Sequence, residues 1–128
     1  MKRAGRVLVV DDDGWVRTTV ADVLDYAGYD VDTARNGVEA LAAMRATRPD
    51  CVVLDLIMPV LDGRDFLRAY RQERQWASTP VVVMSVSHSL AEAVRREFGV
   101  EHILIKPFDI DALLEPVKRL LDRRGCGG

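Results

Sequence analysis

Polar residues that could bind a cation and a phosphoryl group follow four short apolar runs in the sequence. Three aspartates at 11–13 follow the first run, Asp55 follows the third, Ser85 the fourth and Lys106 the fifth. A cluster of carboxylates attracts a divalent cation, and a hydroxyl and an ammonium group can each bind a phosphoryl oxygen. These residue types indicate phosphoryl chemistry, provided that the fold brings the ends of the runs together.

The apolar runs have the pattern of strands that are buried on both faces. Residues 7–10, 51–54, 81–84 and 103–105 are continuous apolar stretches, which is typical of a parallel sheet covered by helices. Residues 29–34 alternate polar and apolar side chains, which predicts an edge strand. The run at 103–105 is short, and we expect it to form the other edge.

Apolar residues recur at helical spacing between the runs, so the chain reads as a strand followed by a helix, repeated five times. Such alternation predicts right-handed crossovers and a three-layer arrangement with the sheet in the middle. In the second helix the spacing places Val38, Leu41 and Ala42 on the buried face.

The carboxyl ends of parallel strands lie at one edge of an open sheet, where ligands bind. Asp11 and Asp12 should therefore meet Asp55. Two carboxylates about 4 Å apart repel by about 4 kcal/mol at an effective dielectric constant of about 20, so the cluster requires a raised pKa or a cation. A few hard oxygen ligands with room for water suit Mg²⁺, which also prepares a site for phosphoryl oxygens. Asp13 has a simpler explanation as the N-cap of the first helix.

Length and composition predict one globular domain over residues 1–128. Apolar residues make up 48% and charged residues 30% of the chain, as in ordinary globular proteins. We expect a folded core from about residue 6 to residue 123 and a flexible, Gly-rich tail at 124–128.

Charge and hydropathy exclude several classes of protein. The formal net charge of −2 provides no strong field for nucleic acid or an anionic membrane, so we expect a small ligand or a protein as partner. No apolar run approaches the ~20 residues that span a bilayer, and the run after the basic start is too short for a signal peptide. Cys51 and Cys126 are too few for a disulfide or zinc framework. These features predict a cytoplasmic protein.

Four motifs together resemble the receiver domain of bacterial two-component response regulators. They are Val9-Val10-Asp11-Asp12-Asp13, Asp55-Leu56-Ile57-Met58-Pro59-Val60-Leu61-Asp62-Gly63, Val83-Met84-Ser85 and Ile105-Lys106-Pro107-Phe108. The likeness extends from about Arg6 to Arg123, and its most specific part is the stretch that begins at Asp55. It implies an α/β fold of the three-layer, flavodoxin-like (βα)5 type, with a five-stranded parallel sheet in the order 2-1-3-4-5.

The resemblance implies that Asp55 accepts a phosphoryl group from a histidine kinase or a histidine phosphotransfer protein. Asp12 would bind Mg²⁺, or Mn²⁺ as a substitute, with support from Asp11. Asp55 itself and the backbone carbonyl of Ile57 would complete the protein ligands. The domain would then be a signalling phosphoprotein and not an enzyme, beyond its own phosphotransfer and dephosphorylation.

The resemblance also assigns a switch to the last two strands. Lys106 would pair with Asp55 and then with the phosphoryl group, and Ser85 would move toward that group. The movement would change the face made by the fourth helix, the fifth strand and the fifth helix, where a downstream protein binds. Pro107 is expected to follow a cis peptide bond. The family usually has an aromatic residue where this chain has Ile103, so the switch lacks its usual ring.

Further residues near the site have a supporting role in the resemblance, and each has a simpler alternative. Gly63 is expected to permit a strained turn, and Met58 and Pro59 to shape the loop after Asp55, although packing explains Met58 equally well. Trp15 either contacts a partner kinase or packs against its helix. Arg17 is expected to be a solvated residue of the first helix.

Three other functions fit part of the pattern. In a phosphatase of the haloacid-dehalogenase type, Asp11 would be the nucleophile and Asp13 the general acid/base, but Asp55 and the loop after it would be unexplained. A flavodoxin-like FMN binder would need a Ser/Thr/Gly-rich loop after the first strand, whereas three acids there would repel the phosphate. A receiver fold that no longer signals by phosphorylation conflicts with the intact key positions.

Overall fold

Strands and helices alternate five times along the chain. The structure is a computed structural model that describes residues 4–125, with side chains described through residue 122. A short 3₁₀ turn, Arg74–Trp76, precedes the fourth strand. The elements are β1 (Arg6–Val10), α1 (Gly14–Tyr26), β2 (Asp30–Ala34), α2 (Gly37–Thr47), β3 (Cys51–Asp55), α3 (Gly63–Arg71), β4 (Val81–Ser85), α4 (His88–Phe98), β5 (His102–Ile105) and α5 (Ile110–Gly125).

The five strands form one parallel sheet in the order β2-β1-β3-β4-β5. The predicted fold is confirmed, and β2 and β5 lie at the two edges as expected. Asp55 pairs in register with Met84, and Ser85 pairs with Ile105. The carboxyl ends of the strands therefore share one edge of the sheet, which is where the site residues were predicted to meet.

Successive strand residues belong to two separate hydrophobic clusters, one on each face of the sheet, because side chains alternate across a sheet. One cluster lies under α2, α3 and α4 and includes Leu8, Leu54 and Phe66. The other lies under α1 and α5 and includes Val9 and Leu113. The central strands are buried on both faces, which explains why they read as unbroken apolar runs.

Helix α2 is rotated relative to the sequence prediction. Val38 is 54% exposed and Ala42 is exposed, whereas Ala40 and Met44 are buried. The rotation follows from the helix start, where the buried Gly37 contacts the loop after β3 and turns the positions three and seven residues later toward the sheet. The prediction was therefore wrong for Val38 and Ala42, whereas Leu41 packs against the core as expected.

Helix α5 extends further than expected. It continues through Pro116 to Gly125 and so includes the first two residues of the predicted tail; residues 126–128 and Cys126 lie outside the described part of the chain. None of the described helices is long and apolar enough to cross a bilayer.

Candidate functional site

Three carboxylates meet at the carboxyl edge of the sheet. Asp11 and Asp12 follow β1, and Asp55 is the last residue of β3, the strand paired with β1. One oxygen of each carboxylate lies within 4.8 Å of the others. Asp11 is fully buried and Asp55 is 6% exposed, while Asp12 is exposed. The arrangement combines two buried charges with one that faces solvent.

The ammonium group of Lys106 lies between the two buried acids. Its Nζ is 2.9 Å from Oδ2 of Asp11 and 3.5 Å from Oδ1 of Asp55. Burial disfavours the charged amine, but the hydrogen bond to Asp11 and the charges of Asp55 and Asp11 outweigh it and raise the pKa of Lys106. The amine is therefore held as a fixed positive charge beside the acids.

Asp55 has the electrostatic signature of a crowded acid. Burial, together with the negative charges of Asp11 and Asp12, raises its pKa from 3.8 to about 6, while Lys106 opposes the shift. The Asp55 carboxyl group is thus largely ionised at neutral pH, although burial and the neighbouring acids destabilise its charged form. A divalent cation among these oxygens would relieve that repulsion, and carboxylate oxygens are the donors that Mg²⁺ prefers. The residues present therefore fit such a cation.

Protein groups already hold Asp11 in place. Its N–H donates to the carbonyl oxygen of Ala34 at 3.1 Å, and its Oδ1 accepts from the N–H of Asp13 at 2.9 Å. Since Lys106 occupies the other carboxylate oxygen, Asp11 is oriented by three separate segments. Asp12 and Asp55 are left as the more open oxygen donors.

Asp13 does not belong to the cluster of carboxylates. Its side chain accepts hydrogen bonds from the N–H groups of Trp15 and Val16 and caps α1. This is the simpler explanation offered by the sequence. The cap explains Asp13 without the acid/base role that a haloacid-dehalogenase phosphatase would require.

Ser85 lies at the end of β4 and is fully buried. Its hydroxyl donates to the carbonyl oxygen of Ser87 and accepts from the N–H of the same residue, both at 3.0 Å. The hydroxyl is therefore committed to the loop that starts α4. Ile103, on the neighbouring strand, is partly buried against the cluster under α2, α3 and α4.

The loop after β3 combines exposed and buried residues. Ile57 is 52% exposed, whereas Met58 is buried in the cluster under α2, α3 and α4, so packing accounts for Met58. Pro59 is exposed. The Lys106–Pro107 peptide bond on the facing loop is cis, as the resemblance implies.

Gly63 is required for a reason other than the one predicted. Its backbone does not adopt the left-handed conformation seen at other glycines. Instead, a Cβ atom at this position would lie 2.7 Å from the Cα of Leu56 and 2.8 Å from the carbonyl oxygen of Asp55. Close packing of α3 on the end of β3 therefore excludes a side chain, and the expectation of a strained turn was wrong.

The sequence analysis missed a contact that anchors the same loop. The N–H of Gly37 donates to the carbonyl oxygen of Leu61 at 2.9 Å, and a Cβ at Gly37 would lie 2.6 Å from that oxygen. The sequence predictions above assign Gly37 no role, although an Asn-Gly pair commonly marks a turn. The choice of glycine at the start of a helix, where it has poor helix propensity, was the signal that could have indicated a close approach.

Exposed apolar side chains lie at the same edge of the sheet as the acid cluster. Trp15 is 78% exposed, which excludes packing against its own helix as its role. Other exposed large apolar residues lie on each remaining connection from a strand to the following helix, or within the first two residues of that helix. They are Val38, Ile57, Val60, Val86 and Ile110. We call these five residues, together with Trp15, the apolar rim.

A cavity of about 550 Å³ lies away from the acids, at the amino ends of β4 and β5. Its lining includes Tyr70, Phe98 and His102. The acid cluster itself lies at the opposite, carboxyl ends of the strands.

Comparison with protein families finds one match that covers most of the chain. Residues 7–118 match the response regulator receiver domain. The chain is 44% identical over 122 residues to the transcriptional regulatory protein PrrA of Mycobacterium leprae, with 94% of this chain and 52% of the relative covered. It is 40% identical over 119 residues to the response regulator MprA of Mycobacterium avium, covering 92% of this chain and 51% of the relative.

Solved structures with the same fold include two receiver proteins. The chemotaxis response regulator CheY4 of Vibrio cholerae superposes with a TM-score of 0.82 at 35% identity, covering 90% of this chain and 97% of the other. The receiver domain of Francisella response regulator 1452 gives a TM-score of 0.83 at 33% identity, covering 94% and 98%. The chain spans about half the length of the curated relatives that it matches.

Proposed function

Because the chain belongs to the response regulator receiver domain family, we propose that Asp55 is the residue that accepts the phosphoryl group in two-component signalling. The observation that carries this assignment is the meeting of Asp55 with Asp11, Asp12 and Lys106 at one edge of the sheet. Among the described residues, these three acids are the one group whose spacing suits a metal ion.

Asp55 would act as a nucleophile through a carboxylate oxygen. That oxygen forms a bond to phosphorus while the phosphorus–nitrogen bond of a phosphohistidine breaks, and the bonding electron pair stays on the imidazole. The product is an acyl phosphate. Because a carboxylate is a weak nucleophile, the site works by holding the reactants in line and by balancing charge.

Asp12 and Asp55, with the backbone carbonyl of Ile57, would hold Mg²⁺, or Mn²⁺ in its place, and Asp11 would support them. The bound cation would neutralise charge on the phosphoryl oxygens. The chain's own contribution is to keep Asp11 buried and oriented, so that Asp12 and Asp55 are the carboxylates more open to the cation.

Lys106 would keep its charge through the reaction and bind a phosphoryl oxygen, as its short reach to Asp55 supports. Ser85 would give up its hydrogen bonds to Ser87 in order to bind another such oxygen. Since Ser87 is the N-cap of α4, this movement would reach α4 and, through β5 and α5, a downstream protein. Pro107, Gly63, Met58 and Pro59 would support the loops on either side.

The partner that delivers the phosphoryl group is a histidine kinase or a histidine phosphotransfer protein. The apolar rim supports docking of such a protein over the acids, with Trp15 as a prominent contact, because exposed apolar patches around a polar centre are typical of protein interfaces. The part of the relatives that lies outside the match would supply the output in a longer protein, and no nucleic acid binds this domain directly.

Labelling with acetyl phosphate tests the assignment of Asp55. We expect the wild-type domain to form an acyl phosphate and Asp55→Asn to form none, because an amide is not a nucleophile. Asp13→Asn is the matched control, since asparagine caps a helix equally well; it should label normally. Undiminished labelling of Asp55→Asn, or mapping of the label to Asp11, would overturn the assignment.

A further inference from the structure

Arg17 occupies a position that its place in the sequence does not predict. It was expected on the solvated face of α1, but it is half-buried and its side chain turns back toward the acid cluster. Its Nη1 donates a hydrogen bond of 2.9 Å to the main-chain carbonyl oxygen of Asp11. A Cβ atom at Gly14 would lie 3.5 Å from Nη2, so the guanidinium folds over the start of the helix.

This hydrogen bond completes the set of partners around Asp11. The N–H and both carboxylate oxygens of Asp11 already have partners, as described above. With Arg17 on the carbonyl oxygen, every polar group of this fully buried residue is bonded to the protein. Asp12 follows directly and is exposed. Within residues 4–125, no hydrogen bond holds its side chain. The orientation of Asp12 therefore depends on the peptide unit that joins it to Asp11.

We propose that Arg17 is a positioning residue for the cation site, which fixes the Asp11–Asp12 peptide and so directs the carboxylate of Asp12 toward Asp55. The carbonyl of Asp11 and the N–H of Asp12 belong to one planar unit, so a single strong donor on the carbonyl sets the direction in which the next side chain leaves the backbone. The inference rests on the proposed function, since it takes the acid cluster as a Mg²⁺ site.

A role through charge alone predicts the opposite effect. A guanidinium repels a nearby divalent cation, so if its charge were the main influence, removing Arg17 would tighten Mg²⁺ binding. If positioning is the main influence, removing Arg17 weakens Mg²⁺ binding by about tenfold, as is usual when a group that orients a metal ligand is lost. The sign of the change distinguishes the two roles.

Calorimetric titration of the whole chain with MgCl₂ measures that sign directly. We expect Arg17→Gln to raise the Kd for Mg²⁺ by about tenfold, and Arg17→Lys, which keeps the charge and one donor group, to give a smaller increase. Arg35→Gln is the matched control, because Arg35 follows β2 at the same edge but bonds to Glu39. It should leave the Kd unchanged or slightly lower it.

The outcomes separate the two claims. An equal or lower Kd in Arg17→Gln, with normal binding by the wild type, would overturn the positioning role and leave the proposed function intact. Equal weakening in Arg35→Gln would also overturn it, because the effect would then be unspecific. Absence of Mg²⁺ binding by the wild-type chain would instead overturn the metal site itself. If Arg17→Gln does not fold, the decision passes to Arg17→Lys, whose Kd must lie above that of the wild type.

Discussion

Lys106 donates a hydrogen bond to Asp11 across 2.9 Å, although 95 residues separate the two in the sequence. Asp55 is slightly more distant from the same ammonium group, at 3.5 Å. The pairing leaves the oxygens of Asp55 less occupied than those of Asp11. In the proposed function Asp55 would attack phosphorus, and its carboxylate is kept available for that role, while Asp11 holds the ammonium group of Lys106 in place.

The Lys106–Asp11 pair should contribute strongly to stability. Lys106→Met would leave the fully buried carboxylate of Asp11 without its partner, and breaking a buried ion pair costs about 3 kcal/mol or more. We expect urea unfolding to show a loss of that size. Lys118→Met, the same change on the exposed side of α5, should lose little. Similar losses in both variants would contradict the importance of the pair.

A double variant separates the pair from its members. Asp11→Asn removes the charge that Lys106→Met would leave buried, so the two changes together should cost less than the sum of their separate costs. Simple additivity would show that the two groups do not stabilise each other.

The stability of the metal-free protein should depend on the ionisation of Asp55. Burial and the charge of Asp11 raise the pKa of Asp55 from 3.8 to about 6, so the folded state binds the proton more tightly than the unfolded chain. Its stabilising contribution is complete below about pH 4 and is lost as the pH rises through about 6. Relative to wild type, Asp55→Asn should gain up to about 3 kcal/mol at about pH 8 and little at about pH 4.

Urea unfolding of both proteins across this pH range checks the prediction. The difference in unfolding free energy between Asp55→Asn and wild type should grow as the pH rises from about 4 to about 7. A difference that stays constant over that range would show that the surroundings of Asp55 do not raise its pKa.

Magnesium should stabilise the folded domain through Asp12. A ligand that binds only the folded state raises the melting temperature, and millimolar Mg²⁺ should add roughly 3–6 °C to that of the wild type. Asp12→Asn should lose this gain, since an open ligand is missing. Asp13→Asn, whose side chain caps α1, should keep it. A melting curve of the wild type that does not respond to Mg²⁺ would count against the metal site.

Trp15 should matter for transfer from a protein donor and not for transfer from a small molecule. Trp15→Ala is expected to slow phosphotransfer from the histidine kinase that best phosphorylates the wild type by at least about tenfold, as for an interface hot spot. Labelling by acetyl phosphate should be unchanged. Tyr26, which is 95% exposed at the far end of the same helix, provides the control as Tyr26→Ala. If both rates fall together in Trp15→Ala, Trp15 acts on the site and not on docking.

The sequence was sufficient to predict the sheet and the meeting of the acids. Continuous apolar runs and an alternating one at 29–34 indicated two edge strands and a buried centre. The rule that parallel strands end at one edge then brought Asp11, Asp12, Asp55 and Lys106 together without coordinates. These inferences hold because they depend on periodicity and topology, which the sequence records directly.

Details that depend on contacts between loops were not predictable in the same way. The rotation of α2 and the requirement for Gly63 both arise from close approaches between segments that are distant in the sequence. Lys106 lies 2.9 Å from Asp11 and 3.5 Å from Asp55, and a difference this small cannot be read from the sequence. The same holds for Arg17, whose side chain turns back to bond the main chain. Residue type alone indicates which groups attract each other, but not which of two similar partners is nearer.

The unequal surroundings of the two tryptophans have a practical consequence. Trp15 is exposed to solvent and follows the acids of the cluster in the sequence. Trp76 is 3% exposed and packs in the interior, with the guanidinium of Arg45 over its ring. A water-borne quencher such as iodide reaches the first indole and is kept from the second. The protein therefore carries a built-in optical probe, and light emitted from position 15 can report an ion or a visiting protein without an attached dye.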